Sequence, residues 1–254
     1  MIWRCPLSIA NRSRTVFRTT LYSFAFAFLL SGCSNNHVVE TRYGNGSPKE
    51  RYSLNADSLK DGLGQTWYDN GQLRQEFEWS DGVADSKVTT WYRASDKRTE
   101  EDVTDGRLNG KGTWWYSNGR VWQEFEFKDG KSNGKWGKWY NNGQKSAEQS
   151  FHEGVNDGHW TSWSKDGQKT SESNYAEGIR EGKWTEWFPN GQKKSEIEFR
   201  KGLAEGTWTF WTETGQKLSE AHYKEGKLDG HFVSWDKNGN KILEADYKEG
   251  ERTK

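Results

Sequence analysis

The sequence is short of almost everything an ordinary layered core is built from. Only 31% of its residues are hydrophobic, and aromatic residues alone account for 15%. Leu, Ile and Val are correspondingly scarce, which excludes a conventional α/β enzyme with helices packed on a sheet. Proline occurs three times and methionine once. A surplus of either charge is also missing, because 37 basic and 37 acidic residues cancel. The balance is uneven along the chain. Residues 1–32 hold Arg4, Arg12, Arg14 and Arg18 and no acid, so the remainder is 33 minus 37, or −4. A mildly acidic body offers phosphates no attraction, so no nucleic-acid partner is expected.

Glycine and aromatics are abundant instead, with 28 Gly, 16 Trp, 10 Tyr and 12 Phe. Disordered chains are poor in aromatics, so disorder is excluded too. This composition calls for many short strands joined by tight turns.

The two cysteines are Cys5 and Cys33. Arg4 to Arg18 form a basic stretch, followed by the apolar run from Leu21 to Leu30 and then Ser31-Gly32-Cys33. A charged segment, a short apolar segment and small residues define a secretory signal peptide. The apolar run is too short to cross a hydrocarbon layer of roughly 30 Å. Leu30-Ser31-Gly32-Cys33 resembles the lipobox of bacterial lipoproteins. The resemblance implies cleavage before Cys33, a diacylglyceryl group on its sulfur, and a mature chain that starts there. Ser34, rather than Asp, next to the cysteine implies an outer-membrane address. Cys5 would leave with the signal peptide and Cys33 would be modified, so no disulfide or cysteine metal site is expected in the mature body.

The rest is one repeat. Trp67, Trp91, Trp115, Trp139, Trp163, Trp187, Trp211 and Trp235 follow one another at a fixed step, from Trp67 to Trp91 and onward without a slip. Gly82, Gly106, Gly130, Gly154, Gly178, Gly202, Gly226 and Gly250 keep the same step, as do Glu76, Glu100, Glu124, Glu148, Glu172, Glu196, Glu220 and Glu244. Asn-Gly or Asp-Gly pairs, as at Asn190-Gly191, call for positive φ and read as hairpin turns. An aromatic, Thr-rich strand precedes each turn, and a strand alternating charged and apolar residues follows, as in Ser195 to Phe199. The glycines at Gly178 and Gly182 then lead into the next hairpin. A lone hairpin is marginal, so the units must stack side by side.

Stacking aligns each column into a ladder. One is the Trp67 to Trp235 column, expected as a structural ladder. A second holds Trp79, Val103, Phe127, Phe151, Tyr175, Phe199, Tyr223 and Tyr247. A third holds Trp136, Trp160, Trp184, Trp208 and Phe232, taken as the candidate binding ladder. Trp184 and Trp187, three apart, either face opposite sides of the sheet or flank a bulge. The unit around Trp91 has Ser95 and Ser86 where other units have glycine, and is expected to be distorted.

The pattern Gly178, Gly182, Trp184, Trp187, Gly191 and Glu196 resembles the bacterial variant of the MORN repeat, often grouped as YwqK-type antitoxin-like. The resemblance covers about residues 44–250. It implies an all-β fold: an elongated, single-layer, twisted antiparallel sheet of consecutive β-hairpins. The organisation expected is a lipoprotein signal peptide at 1–32, a lipidated tether at 33–42, a half-repeat cap at 43–60, eight repeats of 24 residues at 61–250 and a charged tail at 251–254. Trp stands where such repeats more often carry Tyr.

No catalytic constellation emerges. His37, His152, His159, His222 and His231 read as solvated residues, and three repeats separate His159 from His231, which share a column. The Glu column reads as a cross-strand charge ladder, with Lys145, Lys169, Lys193 and Lys217 as partners. No phosphate-binding loop or nucleophile elbow is present. No enzyme activity, metal or cofactor is expected. The leading expectation is a scaffold anchored to the membrane by its N-terminal lipid that binds an envelope protein, with antitoxin or immunity action as a special case. The alternative is binding of peptidoglycan or another polysaccharide on the Trp ladders.

Overall fold

The computed structural model describes residues 37–253, so the expected signal peptide, Cys33 and the start of the tether lie outside the described residues. All strands belong to one sheet of 21 strands, and the described residues contain no helix. The first hairpins are β1 (His37–Arg42) with β2 (Pro48–Leu54), β3 (Gly62–Trp67) with β4 (Leu73–Ser80), and β5 (Val83–Trp91) with β6 (Lys97–Thr104). Next come β7 (Arg107–Trp115) with β8 (Val121–Lys128), and β9 (Lys131–Trp139) with β10 (Lys145–His152). Two first strands are split by a bulge: β11 (Val155–Asn156) pairs back on β10 while β12 (Gly158–Trp163) also faces β13 (Lys169–Ala176), and β14 (Ile179–Arg180) pairs back on β13 while β15 (Gly182–Trp187) also faces β16 (Lys193–Arg200). The series ends with β17 (Leu203–Trp211), β18 (Lys217–Lys224), β19 (Lys227–Trp235), β20 (Lys241–Lys248) and the short β21 (Glu251–Arg252).

Counting each split pair as one strand, each strand pairs antiparallel with the next in sequence, as β15 with β16 and β16 with β17, so the described residues form a meander of hairpins. Each repeat is one hairpin, as its sequence implies. Two boundaries differ from expectation. Residues 37–42, read as tether, form β1 and pair along the whole of β2, so the cap is a complete hairpin. Glu251–Arg252, read as a charged tail, pairs with the end of β20.

The two edges of the sheet carry different turns. Asn190-Gly191 belongs to a wider turn in which Phe188 and Gln192 bond each other and only Gly191 has positive φ, at 83°. This is a type I turn closed by a glycine bulge, the usual three-residue hairpin loop. The Asn-Gly pairs therefore do not require positive φ at asparagine. The tight two-residue turns lie on the other edge, where both residues have positive φ, as at Lys201 (49°) and Gly202 (80°). There the Gly202 amide donates to the Arg180 carbonyl of the preceding repeat at 2.9 Å, an approach only glycine allows easily.

The unit around Trp91 is not distorted. Ser95 and Ser86 adopt the positive φ of the glycines they replace, at 76° and 84°, and β5 pairs with β6 in the common register. Tertiary pairing overrides the local preference of serine.

Candidate interaction surface: the two faces of the sheet

Alternation along each strand sends its side chains to two faces, and no second layer among the described residues covers either. No described side chain is fully buried. Trp184 pairs with Ile197 and Trp187 with Lys193, while the register slips by one residue in between. The open question about these two rings therefore has a double answer. They face opposite sides, and the extra residue, Lys194, lies in the return strand.

One face carries the aromatic belt. The two columns that hold Trp136 and Phe151 interleave into one zigzag. From Phe127 it runs through Trp136, Phe151, Trp160, Tyr175, Trp184, Phe199 and Trp208 to Tyr223, with neighbouring ring centres 4.7–5.4 Å apart. Neighbouring planes are inclined by 40–67°, so each ring leans on the next in the edge-on arrangement aromatic pairs favour. Phe232 and Tyr247 form a further pair in the same two columns, at 6.2 Å. Except for Phe199, which is buried, these rings are half-buried.

The candidate ladder residues are fixed from behind. The indole N–H groups of Trp136, Trp160, Trp184 and Trp208 donate to the backbone carbonyls of Glu126, Ser150, Asn174 and Glu198 at 2.9–3.1 Å. These carbonyls lie where the next strand bulges away from the regular ladder. Trp136, Trp160, Trp184 and Trp208 thus hold neighbouring hairpins together, a structural role beside the binding role their column suggests.

The opposite face is polar. Buried Thr89, Thr161, Thr185 and Thr209 stand between glutamates, as Thr185 does between Glu172 and Glu196, so like charges are two strands apart. Most lysine partners come from the same strand, three residues away across the bulge, and two units add one from across the sheet, Lys87 to Glu100 at 3.0 Å and Lys183 to Glu196 at 3.8 Å. Lys97–Glu100 and Lys145–Glu148 are 2.5 Å, Lys241–Glu244 is 2.6 Å, and Lys169–Glu172, Lys193–Glu196 and Lys217–Glu220 repeat the pair. Hydrogen bonding from Lys97, Lys145, Lys193 and Lys241 holds the carboxyls of Glu100, Glu148, Glu196 and Glu244 below the ordinary 4.5.

The Trp67 to Trp235 column edges this face, half-buried throughout. Lysines lie over several of these rings, with Lys145 5.9 Å from Trp139 and 5.8 Å from Trp163, within cation–π range. His159 and His231 are solvated on this face, with His159 bonded to Asn174 and His231 to Asp246.

Two groups of contacts escaped the sequence reading. Tyr43, Tyr68, Tyr92, Tyr116 and Tyr140 each donate a hydroxyl to the backbone carbonyl of the next repeat's column tryptophan, at 2.7–2.9 Å. For all but Tyr43, which follows Arg42, the signal was a tyrosine immediately after the column tryptophan, lost at Ser164, Phe188, Thr212 and Asp236. Trp114 and Trp122, which belong to no ladder, pack at 5.2 Å on the belt face.

A family model described as "MORN repeat variant" matches residues 60–81, 108–129, 180–201 and 204–225. The match thus falls on four of the hairpins, and each matched segment contains one strand, one wide turn and the return strand. Such repeats generally mediate protein or membrane interactions. No curated protein matches the chain. Among solved structures, "Crystal Structure of TcdB2-TccC3" aligns over 85% of this chain and 14% of that one, at 11% identity and a TM-score of 0.22. "Crystal Structure of TcdB2-TccC3-TEV" aligns over 83% and 14%, at 10% identity and a TM-score of 0.21. The chain spans about 14% of the length of either.

Proposed function

We propose that this chain is a non-catalytic repeat scaffold, held in a bacterial cell envelope by a lipid on Cys33, that binds an envelope protein across its aromatic face. The observation that carries the reading is the unbroken belt from Phe127 to Tyr223 on a face that no other element among the described residues covers. Exposed apolar surface of that extent usually marks an interaction site. The rings are already fixed by one another and by their indole hydrogen bonds, so a partner would order little on docking, which favours affinity. The repeated registration of hairpins supplies an extended surface without any catalytic centre.

Glycan binding on the same ladder fits the belt less well. A sugar stacks on a flat open ring, whereas these rings are inclined to and partly covered by their neighbours. The lipid anchor rests on the residues from Arg4 to Cys33 alone.

The test uses full-length protein in cells, with a photo-crosslinking residue at Ser173 on the belt face or at Lys183 on the polar face. Discrete protein adducts from Ser173 and not from Lys183 are expected, and Cys33→Ser should move the protein to the soluble fraction. Adducts from Lys183 alone would place the partner on the wrong face. No adduct from either position, with pelleting on cell-wall sacculi, would favour the glycan reading. Unchanged membrane fractionation of Cys33→Ser would remove the anchor.

A further inference from the structure

The candidate ladder is missing from the first three matching hairpins, whose column holds Gly64, Val88 and Gly112. In the column of the candidate ladder, Gly112 stands where the next repeat has Trp136, and the Phe125 ring occupies the space, 2.2 Å from where a Cβ would lie. The same hairpin instead carries Trp114 and Trp122, at positions filled by Ser162 and Thr170 in a later repeat. Trp122 is 40% exposed on the belt face. With Trp114, Trp115, Tyr92, Arg98 and Thr99 it lines a cleft of about 220 Å³ between two hairpins. That is below the roughly 300–1,000 Å³ of sites that enclose drug-sized ligands, so the cleft suits one small ring of a longer molecule.

The walls are preorganised. Trp114 donates its indole N–H to the Glu101 carboxylate and packs edge-on against Phe125 at 5.3 Å. Tyr92 donates to the Trp115 carbonyl at 2.9 Å, tying the two hairpins together there, and Thr90 and Thr99 bond each other at 2.7 Å.

The carboxylate at the cleft wall, Glu101, is held by the Trp114 indole, and the arginines beside the cleft are not ion-paired among the described residues. The residues matching Trp122 in the two preceding hairpins are Arg74 and Arg98, both exposed. Each lies over a tyrosine, Arg74 over Tyr68 and Arg98 over Tyr92 at 5.9 Å, and neither has an acidic partner among the described residues. The same position later in the sheet shows what a balanced cation looks like, since Lys194 pairs with Glu186 at 2.9 Å. Successive hairpins put these side chains about 9.6 Å apart, two strand spacings. Beside them runs a row of neutral hydroxyl and amide side chains: Thr66, Gln75, Thr90, Thr99 and, next to Trp122, Gln123.

We infer that this strip, Arg74–Arg98–Trp122, is a binding site for an acidic saccharide chain. One pyranose stacks its C–H face on Trp122 in the cleft. Carboxylates on the following sugars take the guanidinium groups of Arg98 and Arg74, which present planar paired donors. The sugar hydroxyls exchange hydrogen bonds with the half-buried Gln75, Thr90 and Thr99 of that row, whereas Gln123 is buried. Two unpaired arginines on an otherwise acidic body are too few to attract a polynucleotide. The site lies outside the Trp136 to Trp208 ladder, so it stands or falls separately from the protein partner proposed above.

The test is calorimetric titration of the full chain in detergent with tetrasaccharides of hyaluronan, polygalacturonate and polymannuronate, with chitotetraose as the neutral control. At least one acidic tetrasaccharide is expected to bind tenfold or more tighter than chitotetraose. Trp122→Ala should weaken it at least tenfold, and Arg74→Gln with Arg98→Gln should reduce it to the chitotetraose level. Leu218→Ala, at the same repeat position far along the sheet, should bind like the wild type. Failure of all three acidic sugars, equal binding of the neutral one, insensitivity to the Trp122 and arginine changes, or tighter binding of an oligothymidylate would overturn the proposal.

Discussion

The indole Nε1 of Trp184 donates to the Asn174 carbonyl at 3.1 Å, and the same carbonyl accepts the Glu181 amide at 3.0 Å. Both of its lone pairs are thus filled at the point where the strand carrying Glu181 bulges away. Without the indole, one acceptor site at the boundary between two hairpins is left unused. Trp184→Phe keeps a ring in the belt and loses the bond, so it should destabilise by about 1 kcal/mol. Trp184→Ala also removes the ring and should cost about 2–3 kcal/mol, below the range for a fully buried tryptophan because this one is half-exposed. Repeat arrays open locally, so hydrogen exchange in β13 and β15 is the appropriate readout. Exchange in Trp184→Phe equal to wild type would remove the bond from the account.

The two serines held at positive φ offer a gain instead of a loss. L-residues in the left-handed region carry a cost of roughly 1–2 kcal/mol that glycine escapes. Glycine adds some freedom to the unfolded chain, so Ser86→Gly and Ser95→Gly should each stabilise by about 0.5–1 kcal/mol. Urea midpoints of the two variants check this. A fall in both would mean that the serine side chains contribute more than their backbone costs.

The hairpin architecture was legible because columns such as Trp67 to Trp235 repeat without a slip, and one strict period leaves one way to stack hairpins. Turn types were less so. Asn190-Gly191 carries a strong local signal for a two-residue turn, but the bulge that sets Trp187 against Lys193 demands a longer loop, and a pair register is not written in a dipeptide. The division of Trp184 and Trp187 between faces depended on that same bulge. Trp136, Trp160, Trp184 and Trp208 could be picked out as a column, yet their hydrogen bonds could not, because the accepting carbonyl lies ten residues back in a neighbouring hairpin. The Arg74–Arg98–Trp122 strip escaped notice because it is defined by departures from the repeat.

The lysine–glutamate pairs give the fold a dependence on acid. Glu196 keeps its carboxyl below 4.5, chiefly through the hydrogen bond from Lys193. A group whose pKa is lower folded than unfolded contributes stability above its unfolded value and loses it as pH falls through the folded one. Stability should therefore be flat from pH 7 to about 5 and decline below about 4.5, with Glu100, Glu148 and Glu244 adding to the slope. Glu196→Gln should flatten that decline and leave a smaller effect at 1 M salt, since the pair is partly exposed. A urea midpoint that fell between pH 5 and 3 as steeply in Glu196→Gln as in wild type would discount this pair.

The last hairpin should be the least secured. Tyrosine hydroxyls tie the repeats from Tyr43 to Tyr140, and tryptophan indoles tie those from Trp136 to Trp208, with both present at the boundaries bridged by Tyr116 and Trp136 and by Tyr140 and Trp160. The boundary between β18 and β19 has neither, because Thr212 holds the tyrosine position and Phe232 the indole position. Gln216 alone reaches across on that edge, to the Asp236 carbonyl at 3.1 Å. Amide exchange should accordingly be faster in β19 and β20 than in β1 and β2, although both hairpins are terminal. Phe232→Trp would place an indole N–H opposite the His222 carbonyl, ten residues back as in Trp208 and Glu198, and should slow exchange in β19 about fivefold, the equivalent of one net hydrogen bond of about 1 kcal/mol. If β1 and β2 exchange as fast as β19 and β20, and Phe232→Trp changes neither, then side-chain ties between repeats do not set local stability, and the backbone ladder alone does.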